Sequence, residues 1–278
     1  MNKSATLSIV GCGKVGQTLG RLWHENQVVE IQDILNRSAA SGMAAATFIG
    51  AGRVANNYTD LRPADIFLIA APDDQIAACC EALASADCLA TNSIVFHCSG
   101  ALPSSILQVA STCGAAIASI HPIRSFAVPE KIIHDFAGTY CGVEGDQRAL
   151  DILTPLFTAI GAQLVTIKSK EKILYHAAAV FASNYLVTLL DTAVQTYGQA
   201  GIPQDIALKM MASLARETTE NVLQIGPEQA LTGPIARNDV ATVIKQYRTV
   251  NMWDRRYGAL YKQLGKLTAH LARRHKNK

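Results

Sequence analysis

The sequence predicts an α/β fold in which a doubly wound, mostly parallel sheet is followed by an all-helical C-terminal domain. Up to about residue 168, short runs rich in Val and Ile alternate with amphipathic or alanine-rich stretches, as in βαβ units. Beyond that point, long segments with helical periodicity replace the β-branched runs. The chain has 278 residues, enough for two hydrophobic cores. We therefore expect domains over 1–168 and 169–278.

The strands are predicted from short apolar runs bounded by turn residues. They are expected over 7–11, 28–35, 66–71, 93–98, 116–120, 138–143 and 163–167, with a shorter one near 53–55. The stretches between them predict helices over 15–24, 39–48, 75–84, 104–110 and 147–160. In the second domain, Gly-Pro pairs and a Gly-Ile-Pro turn separate helices predicted over 171–200, 204–223, 240–247 and 251–274.

Composition excludes several classes of function. With 25 basic and 22 acidic residues, the chain has no charge excess suited to nucleic acid. The seven cysteines form no paired CxxC units, so no metal site is expected. The first strand follows the N-terminus without a leader pattern, and polar residues interrupt the most apolar stretch, 173–190. We expect a cytoplasmic protein that does not span a membrane.

A glycine-rich turn directly follows the first predicted strand and opens the first helix. This strand, turn and helix order predicts a Rossmann-type dinucleotide site, in which the first glycine allows a tight turn, the second lets the backbone approach the pyrophosphate and the third permits close packing. Free amides at the helix start attract the phosphates. An ordinary turn and an S-adenosylmethionine site are the alternatives. The predicted cofactor-binding residues are Gly11, Cys12, Gly13, Lys14, Val15 and Gly16.

The end of the second strand favours NADP(H) over NAD(H). A domain specific for NAD usually has an acidic residue there, but this strand ends in Asn36, Arg37 and Ser38. Arg37 can pair with a 2′-phosphate, and its two neighbours can donate hydrogen bonds to it. Alternatively, Ser38 caps the next helix and Arg37 is solvated. If the strand ended earlier, Asp33 would take the acidic position.

Polar residues follow three further strands at the carboxyl edge of the sheet, where ligands bind in such folds. Ala71, Pro72 and Asp73 are predicted to border the nicotinamide half of the cofactor, although Asp73 is equally suited to capping a helix. Ser99 with Gly100, and His121 with Arg124, are candidate substrate-binding residues. We expect His97, inside its strand, to be a core residue.

The first long helix of the second domain carries polar groups on an apolar background. At 100° per residue, His176 and Ser183 lie nearly in line, with Asn184 beside them and Lys172 one turn earlier. A buried polar group without a partner costs about 1–3 kcal/mol, so this face should meet a ligand or a hydrogen-bonded core. Arg237, after the Gly233-Pro234 turn, could bind a substrate anion or pair with Asp239.

These residues together resemble a family of NADP-dependent oxidoreductases in which a Rossmann-like domain precedes a helical domain of unknown function. The chain is also similar to pyrroline-carboxylate reductases and, more distantly, to β-hydroxyacid dehydrogenases. The resemblance implies a homodimer formed through the helical domain, with the active site between the domains. β-Hydroxyacid dehydrogenases use a lysine with an asparagine one turn later. Here His176 stands one turn after Lys172, so that mechanism does not transfer directly.

The function predicted from the sequence is hydride transfer between NADP(H) and a C=O or C=N carbon of a small metabolite. We expect His176 to act as general acid and base, because an imidazole exchanges protons near neutral pH. Asn184 and Ser99 would orient the reacting atom, while Ser183, Gly100, His121 and Arg237 would bind the substrate. The alternative is an NADP(H)-binding sensor or scaffold without turnover, since a fold does not settle function.

Overall fold

The computed structural model describes residues 4–276, which divide into two compact units between Val180 and Phe181. The predicted domain boundary lies twelve residues earlier, after residue 168. The difference arises because the helix Lys172–Ala182 begins with a lysine that is buried in the first unit, where it hydrogen-bonds to Ser99 and Ser119. The two units are described separately.

The first unit is built on one eight-stranded sheet, which confirms the predicted fold class. The strands are β1 (Thr6–Val10), β2 (Glu30–Leu35), β3 (Arg53–Ala55), β4 (Ile66–Ile69), β5 (Ile94–His97), β6 (Ala116–Pro122), β7 (Tyr140–Gly145) and β8 (Gln163–Thr166). Their order across the sheet is β3-β2-β1-β4-β5-β6-β7-β8. Only the β6 and β7 pair is antiparallel among these neighbours, so the carboxyl ends of β1 to β6 share one edge.

Among the described residues, seven α-helices accompany this sheet. They are α1 (Lys14–Glu25), α2 (Ala39–Ile49), α3 (Ile76–Ser85), α4 (Gln108–Thr112), α5 (Pro129–Asp135), α6 (Gln147–Ala159) and α7 (Lys172–Ala182), whose last two residues fall in the second unit. The sequence did not predict α5, because its seven residues are too short for a periodic pattern. Pro129 in its first turn suits a helix start.

Two apolar clusters form the core of the first unit. Alternate residues of the strands face opposite sides, so that Ile9 and Leu68 join one cluster while Val10 and Ile69 join the other. Trp23 lies at the centre of the larger cluster, with its ring edge-to-face to Phe157 at 5.2 Å and to Phe96 at 6.4 Å. These contacts attach α1 and α6 to one face of the sheet.

The second unit is helical, as the sequence predicts. Its helices are α8 (Asn184–Gln199), α9 (Gln204–Ala230), α10 (Gly233–Ala236), α11 (Val240–Trp253) and α12 (Arg255–Lys276). The single helix predicted over 171–200 is wrong, because Ser183 has φ −122° and ψ −71° and separates α7 from α8. Helix α9 continues past its predicted end at residue 223, with a bend at Gly226.

One stretch, Ser169–Gln199, is long and apolar enough to cross a membrane by length and composition alone. It comprises α7 and α8 and is interrupted at Ser183. At its start Lys172 is buried against the sheet of the first unit. The stretch therefore begins as a helix that packs on a globular domain.

The aromatic cluster predicts which side chain on α6 stabilises the first unit. Phe157 is fully buried, so Phe157→Ala should lower the free energy of unfolding by about 3–5 kcal/mol through lost burial and a new cavity. Ile152→Ala, on the same helix but 46% exposed, is the matched control and should cost less than about 1 kcal/mol. Urea unfolding followed by circular dichroism measures both. Equal losses would contradict the described packing.

Candidate active site

The glycine-rich loop connects β1 to α1 as the sequence predicts. Gly11 has φ +71°, and a Cβ placed on it would lie 2.8 Å from the backbone of Ala71, so this position requires glycine. A Cβ on Gly16 would lie 3.1–3.2 Å from Ala70, Cys12 and Ile9, as close packing of helix and strand requires. Gly13 is exposed and faces open space, so a ligand can approach its backbone.

The first turn of α1 offers unpaired amides at this open side. Gly13 precedes the helix, and the first hydrogen bond of the helix runs from the Gln17 amide to the Gly13 carbonyl. No acidic residue occupies the turn, so its partial positive charge is not neutralised there. Lys14 is exposed and donates to the carbonyl of Ala127 at 2.7 Å, while Val15 is half-buried. These features suit the pyrophosphate of a dinucleotide.

Asn36 shapes the loop from the end of β2. Its Oδ1 accepts from the amide of Cys12 at 2.6 Å, and its Nδ2 donates to the Cys12 carbonyl at 3.3 Å. Ser38 accepts from the amide of Ser41 and caps α2, as the alternative interpretation proposed. Arg37 is exposed. Of these three side chains, only that of Arg37 is charged, and among the described residues it makes no hydrogen bond with the loop or the cap.

Asp33 forms salt bridges with two arginines. Its side chain is fully buried and accepts from Arg53 at 2.8 Å and from Arg62 at 2.7 Å. Burial by itself would raise its pKa, but the hydrogen bonds from both arginines outweigh that effect and hold the pKa at about 2. Asp33 therefore belongs to the packing of the β2 end and does not occupy the position of an NAD-specific carboxylate.

Ser99 organises the strand end after β5. Its Oγ accepts from the amides of Ala101 at 3.1 Å and Leu102 at 3.0 Å, and donates to Asp73 Oδ2 at 2.8 Å. Asp73 lies in a 3₁₀ turn after β4 and is exposed, as is Pro72 beside it. The predicted substrate contact of Ser99 stays a prediction, and the structure assigns its hydroxyl to turning the loop and orienting Asp73.

Two histidines meet over Gly100. A Cβ on Gly100 would lie 2.5 Å from His176 Nδ1 and 2.8 Å from His121 Nε2, so only glycine leaves room for both rings. The ring centroids are 5.8 Å apart. His121 comes from the end of β6 and His176 from the first turns of α7. The predicted residues Gly100, His121 and His176 are thus brought together in one cluster within the first unit.

Burial and charge decide the protonation of the buried imidazoles here. Burial lowers the pKa of His121 to about 4, assisted by His176 and Lys172 and opposed by Asp73. His97, buried as predicted, accepts from the Ser99 amide at Nδ1, and its Nε2 lies 3.3 Å from the Pro103 carbonyl. Burial likewise lowers its pKa to about 4. Both rings are neutral near pH 7.

Tyr175 is a site residue that the sequence reasoning did not select. Its hydroxyl lies 2.9 Å from His121 Nδ1, and the two rings pack edge-to-face. A Cβ on Gly142, opposite His121 on β7, would lie 2.5 Å from that hydroxyl. A glycine inside a strand signals such a close approach, so Gly142 is the sequence feature that could have indicated Tyr175.

Lys172 lies beneath the cluster and is 1% exposed. Its Nζ donates to the Ser99 carbonyl at 2.9 Å and to the Ser119 hydroxyl, and lies 3.9 Å from Glu144 Oε1. Glu144 in turn accepts from the amide and hydroxyl of Ser104. Burial lowers the pKa of Lys172, while Glu144 acts against that shift. These contacts make Lys172 a support of the loop after β5 and of the middle of β6.

The remaining predicted residues lie in the second unit. Ser183 and Asn184 are exposed, and the break at Ser183 means that their alignment with His176 along one helix does not hold. Arg237 is exposed at the end of α10, and Asp239 caps α11 through the amide of Thr242. Their substrate contacts stay predictions. In the first unit, Arg124 is paired with Asp135 at 2.5 Å.

These contacts form a continuous strip along the carboxyl edge of the sheet. It runs from Gly11 against Ala71, through Asp73 and Ser99, to Gly100 and the two histidines above it. One end offers helix amides and open backbone, and the other offers neutral imidazole and a phenol. The arrangement can hold an extended anionic ligand and exchange protons at its far end.

Two family models match this chain. Residues 2–122 match a Rossmann-like domain, and residues 139–268 match a domain of unknown function, DUF2520. The first match contains His121, and the second contains Tyr175 and His176. The histidine cluster therefore draws on both matched regions. No curated protein matches the sequence.

Solved structures resemble the chain over nearly its whole length. A Thermotoga maritima protein is 27% identical, with 97% of this chain and 99% of that one covered and a TM-score of 0.77. A Bacteroides fragilis protein provisionally described as an NADP oxidoreductase is 18% identical, with 96% and 98% covered and a TM-score of 0.76.

A Plasmodium falciparum pyrroline carboxylate reductase with NADP bound is 11% identical, with 96% and 98% covered and a TM-score of 0.61. At identities under 25%, the last two likenesses concern the fold. Both the family models and the structures agree with the resemblance carried by the sequence motifs. The chain combines a Rossmann-like domain with the DUF2520 helical domain.

Proposed function

We propose that this protein is an NADP(H)-dependent oxidoreductase that transfers a hydride to or from a C=O or C=N carbon of a small metabolite. The observation that carries the proposal is the strip that joins the glycine-rich loop to His121 and His176 along one edge of the sheet. In α/β sheets of this kind, ligands bind outside the carboxyl ends of the strands. The Plasmodium falciparum reductase of the same fold holds NADP, which supports the choice of cofactor.

Each part of the strip has a task in this proposal. The amides of Lys14, Val15 and Gly16 would bind the pyrophosphate, because the Gly13 amide already donates to the Gly11 carbonyl. Arg37 would bind the 2′-phosphate. The bound nicotinamide would supply or accept the hydride. His176 would exchange the proton at the reacting oxygen or nitrogen, because its Nδ1 is buried and has no hydrogen-bond partner among the described residues. His121, neutral at pH 7, would donate a hydrogen bond beside it.

We also propose that the helical unit forms a homodimer. Large apolar side chains of this unit are more than half exposed, and they include Phe181, Val187, Leu223, Met252 and Leu267. Exposed apolar surface on this scale marks an interaction site. A second copy would cover it without further components. The anchoring of α7 in the first unit argues against a lipid bilayer as the cover.

The cofactor proposal predicts that NADPH binds more tightly than NADH. Arg37→Ala should weaken NADPH binding about tenfold, because one charge-assisted contact to the 2′-phosphate is lost, and should leave NADH binding nearly unchanged. Calorimetric titration measures both. The control is Arg148→Ala, a surface arginine whose partners lie near residues 91–92 and 114. Tighter binding of NADH by the wild type would overturn the choice of NADP(H).

The catalytic proposal predicts turnover that depends on His176. Candidate imino, oxo and semialdehyde acids are screened by following NADPH absorbance. With a substrate in hand, His176→Ala should lower kcat about a hundredfold or more, while NADPH binding stays unchanged. His134→Ala, an exposed histidine on α5, is the control. Unchanged kcat in His176→Ala would remove its role, and tight NADPH binding without any turnover would favour a sensor.

If the exposed apolar surface forms the dimer, a charge introduced into that surface should separate the two copies. Val187→Glu, at a position that is 67% exposed, should shift the protein from dimer to monomer, because a buried unpaired carboxylate is costly. Sedimentation velocity in detergent-free buffer measures the mass. Met43→Glu, 57% exposed on α2 of the first unit, is the matched control and should remain dimeric. A monomeric wild type would contradict the proposal.

A further inference from the structure

His121 is bordered on two sides by residues of α7. On one side, its Nδ1 lies 2.9 Å from the Tyr175 hydroxyl, with the two rings edge-to-face at a centroid distance of 5.6 Å. On the other side, the ring of His176 lies at a centroid distance of 5.8 Å. Tyr175 and His176 are consecutive, so the start of α7 places both beside the same imidazole.

The protonation states of His121 and Tyr175 near neutral pH follow from their pKa values. Burial lowers the pKa of His121 to about 4, so the ring is neutral and carries one N–H. Burial raises the pKa of Tyr175 to about 12, so the phenol keeps its proton. Two hydrogens are therefore available, and one of them lies between Tyr175 Oη and His121 Nδ1.

The chemistry of the two groups decides which atom donates. The unprotonated nitrogen of a neutral imidazole is a strong acceptor, whereas a phenol oxygen is a good donor and a weaker acceptor. The phenol therefore donates to Nδ1. Since the other ring nitrogen must then carry the proton, the hydrogen bond selects the Nε2–H tautomer of His121.

The other ring nitrogen of His121, Nε2, lies beside Gly100. His121 Nε2 and His176 Nδ1 lie within 2.8 Å of the same point, the position that a Cβ would take on Gly100. His176 Nδ1 is buried and without a partner among the described residues. A hydrogen on His121 Nε2 therefore lies close to Gly100 and to the unpartnered Nδ1 of His176.

We propose that Tyr175 is a positioning residue whose hydroxyl holds His121 in the Nε2–H tautomer, with that donor directed over Gly100 towards His176. The use of this donor during turnover rests on the proposed function. The tautomer itself follows from the contacts among Tyr175, His121 and Gly100, and it can be observed in the protein without a substrate.

The test is the nitrogen-15 NMR spectrum of the histidine rings in the full-length protein at neutral pH. His121 in the wild type should show a protonated Nε2 and an unprotonated Nδ1. Tyr175→Phe keeps the ring but removes the donor, and should shift His121 towards the mixture of tautomers of a free imidazole. His121→Asn identifies the signals by their loss.

Two controls separate positioning from a structural effect. His97 accepts from the Ser99 amide at Nδ1, so it should remain the Nε2–H tautomer in both proteins. Tyr185→Phe, at an exposed tyrosine on α8, should leave His121 unchanged. The inference would be overturned if His121 in the wild type were protonated at Nδ1. It would also be overturned if the spectrum of Tyr175→Phe were identical to that of the wild type.

A kinetic measurement adds a second readout once a substrate is known. Tyr175→Phe should lower kcat by roughly tenfold, the size of one neutral hydrogen bond, with NADPH affinity unchanged. Unchanged kcat together with the expected tautomer shift would show that turnover does not use this donor, and so would overturn the catalytic part of the proposal. Absence of any turnover would count against the proposed function and leave the tautomer result intact.

Discussion

The buried ammonium group of Lys172 is the contact on which the candidate site depends. It binds the Ser99 carbonyl and the Ser119 hydroxyl and faces Glu144, and so joins the start of α7 to the loop after β5 and to the middle of β6. Removing one member of a buried pair typically costs about 3–5 kcal/mol, because the other charge is left without compensation. The position of Tyr175 and His176, three and four residues later, follows from this attachment.

Three glycines of the site stand where a Cβ would collide with a neighbouring group. Gly100 leaves room for the two imidazoles, and Gly142 leaves room for the Tyr175 hydroxyl. Gly11, at the other end of the strip, lies against Ala71. Dense packing around polar rings withdraws them from water, which is why His121 is neutral near pH 7. The same packing that builds the fold therefore sets the chemistry available at its edge.

Prediction from the sequence succeeded where a local pattern carries the information. The strands and the glycine-rich turn depend on neighbouring residues, and parallel strands necessarily bring Asp73, Ser99 and His121 to one edge. It failed where geometry depends on distant contacts. The break at Ser183 disrupts the alignment expected for His176 and Ser183 along one helix. The role of Tyr175 depends on its contact with His121 of β6, which the sequence of an apolar helix does not reveal.

The sequence by itself determined the strands, the longer helices of the first unit, the dinucleotide-type loop and the absence of an acidic residue directly after β2, because periodicity and turn chemistry are local properties. Only the tertiary structure decided that Asn36 holds the Cys12 backbone, that Asp33 is bound by two arginines and that Lys172 supports the site from below. The physical reason is that hydrogen-bond partners and burial, which set the state of a polar group, come from residues far away in the chain.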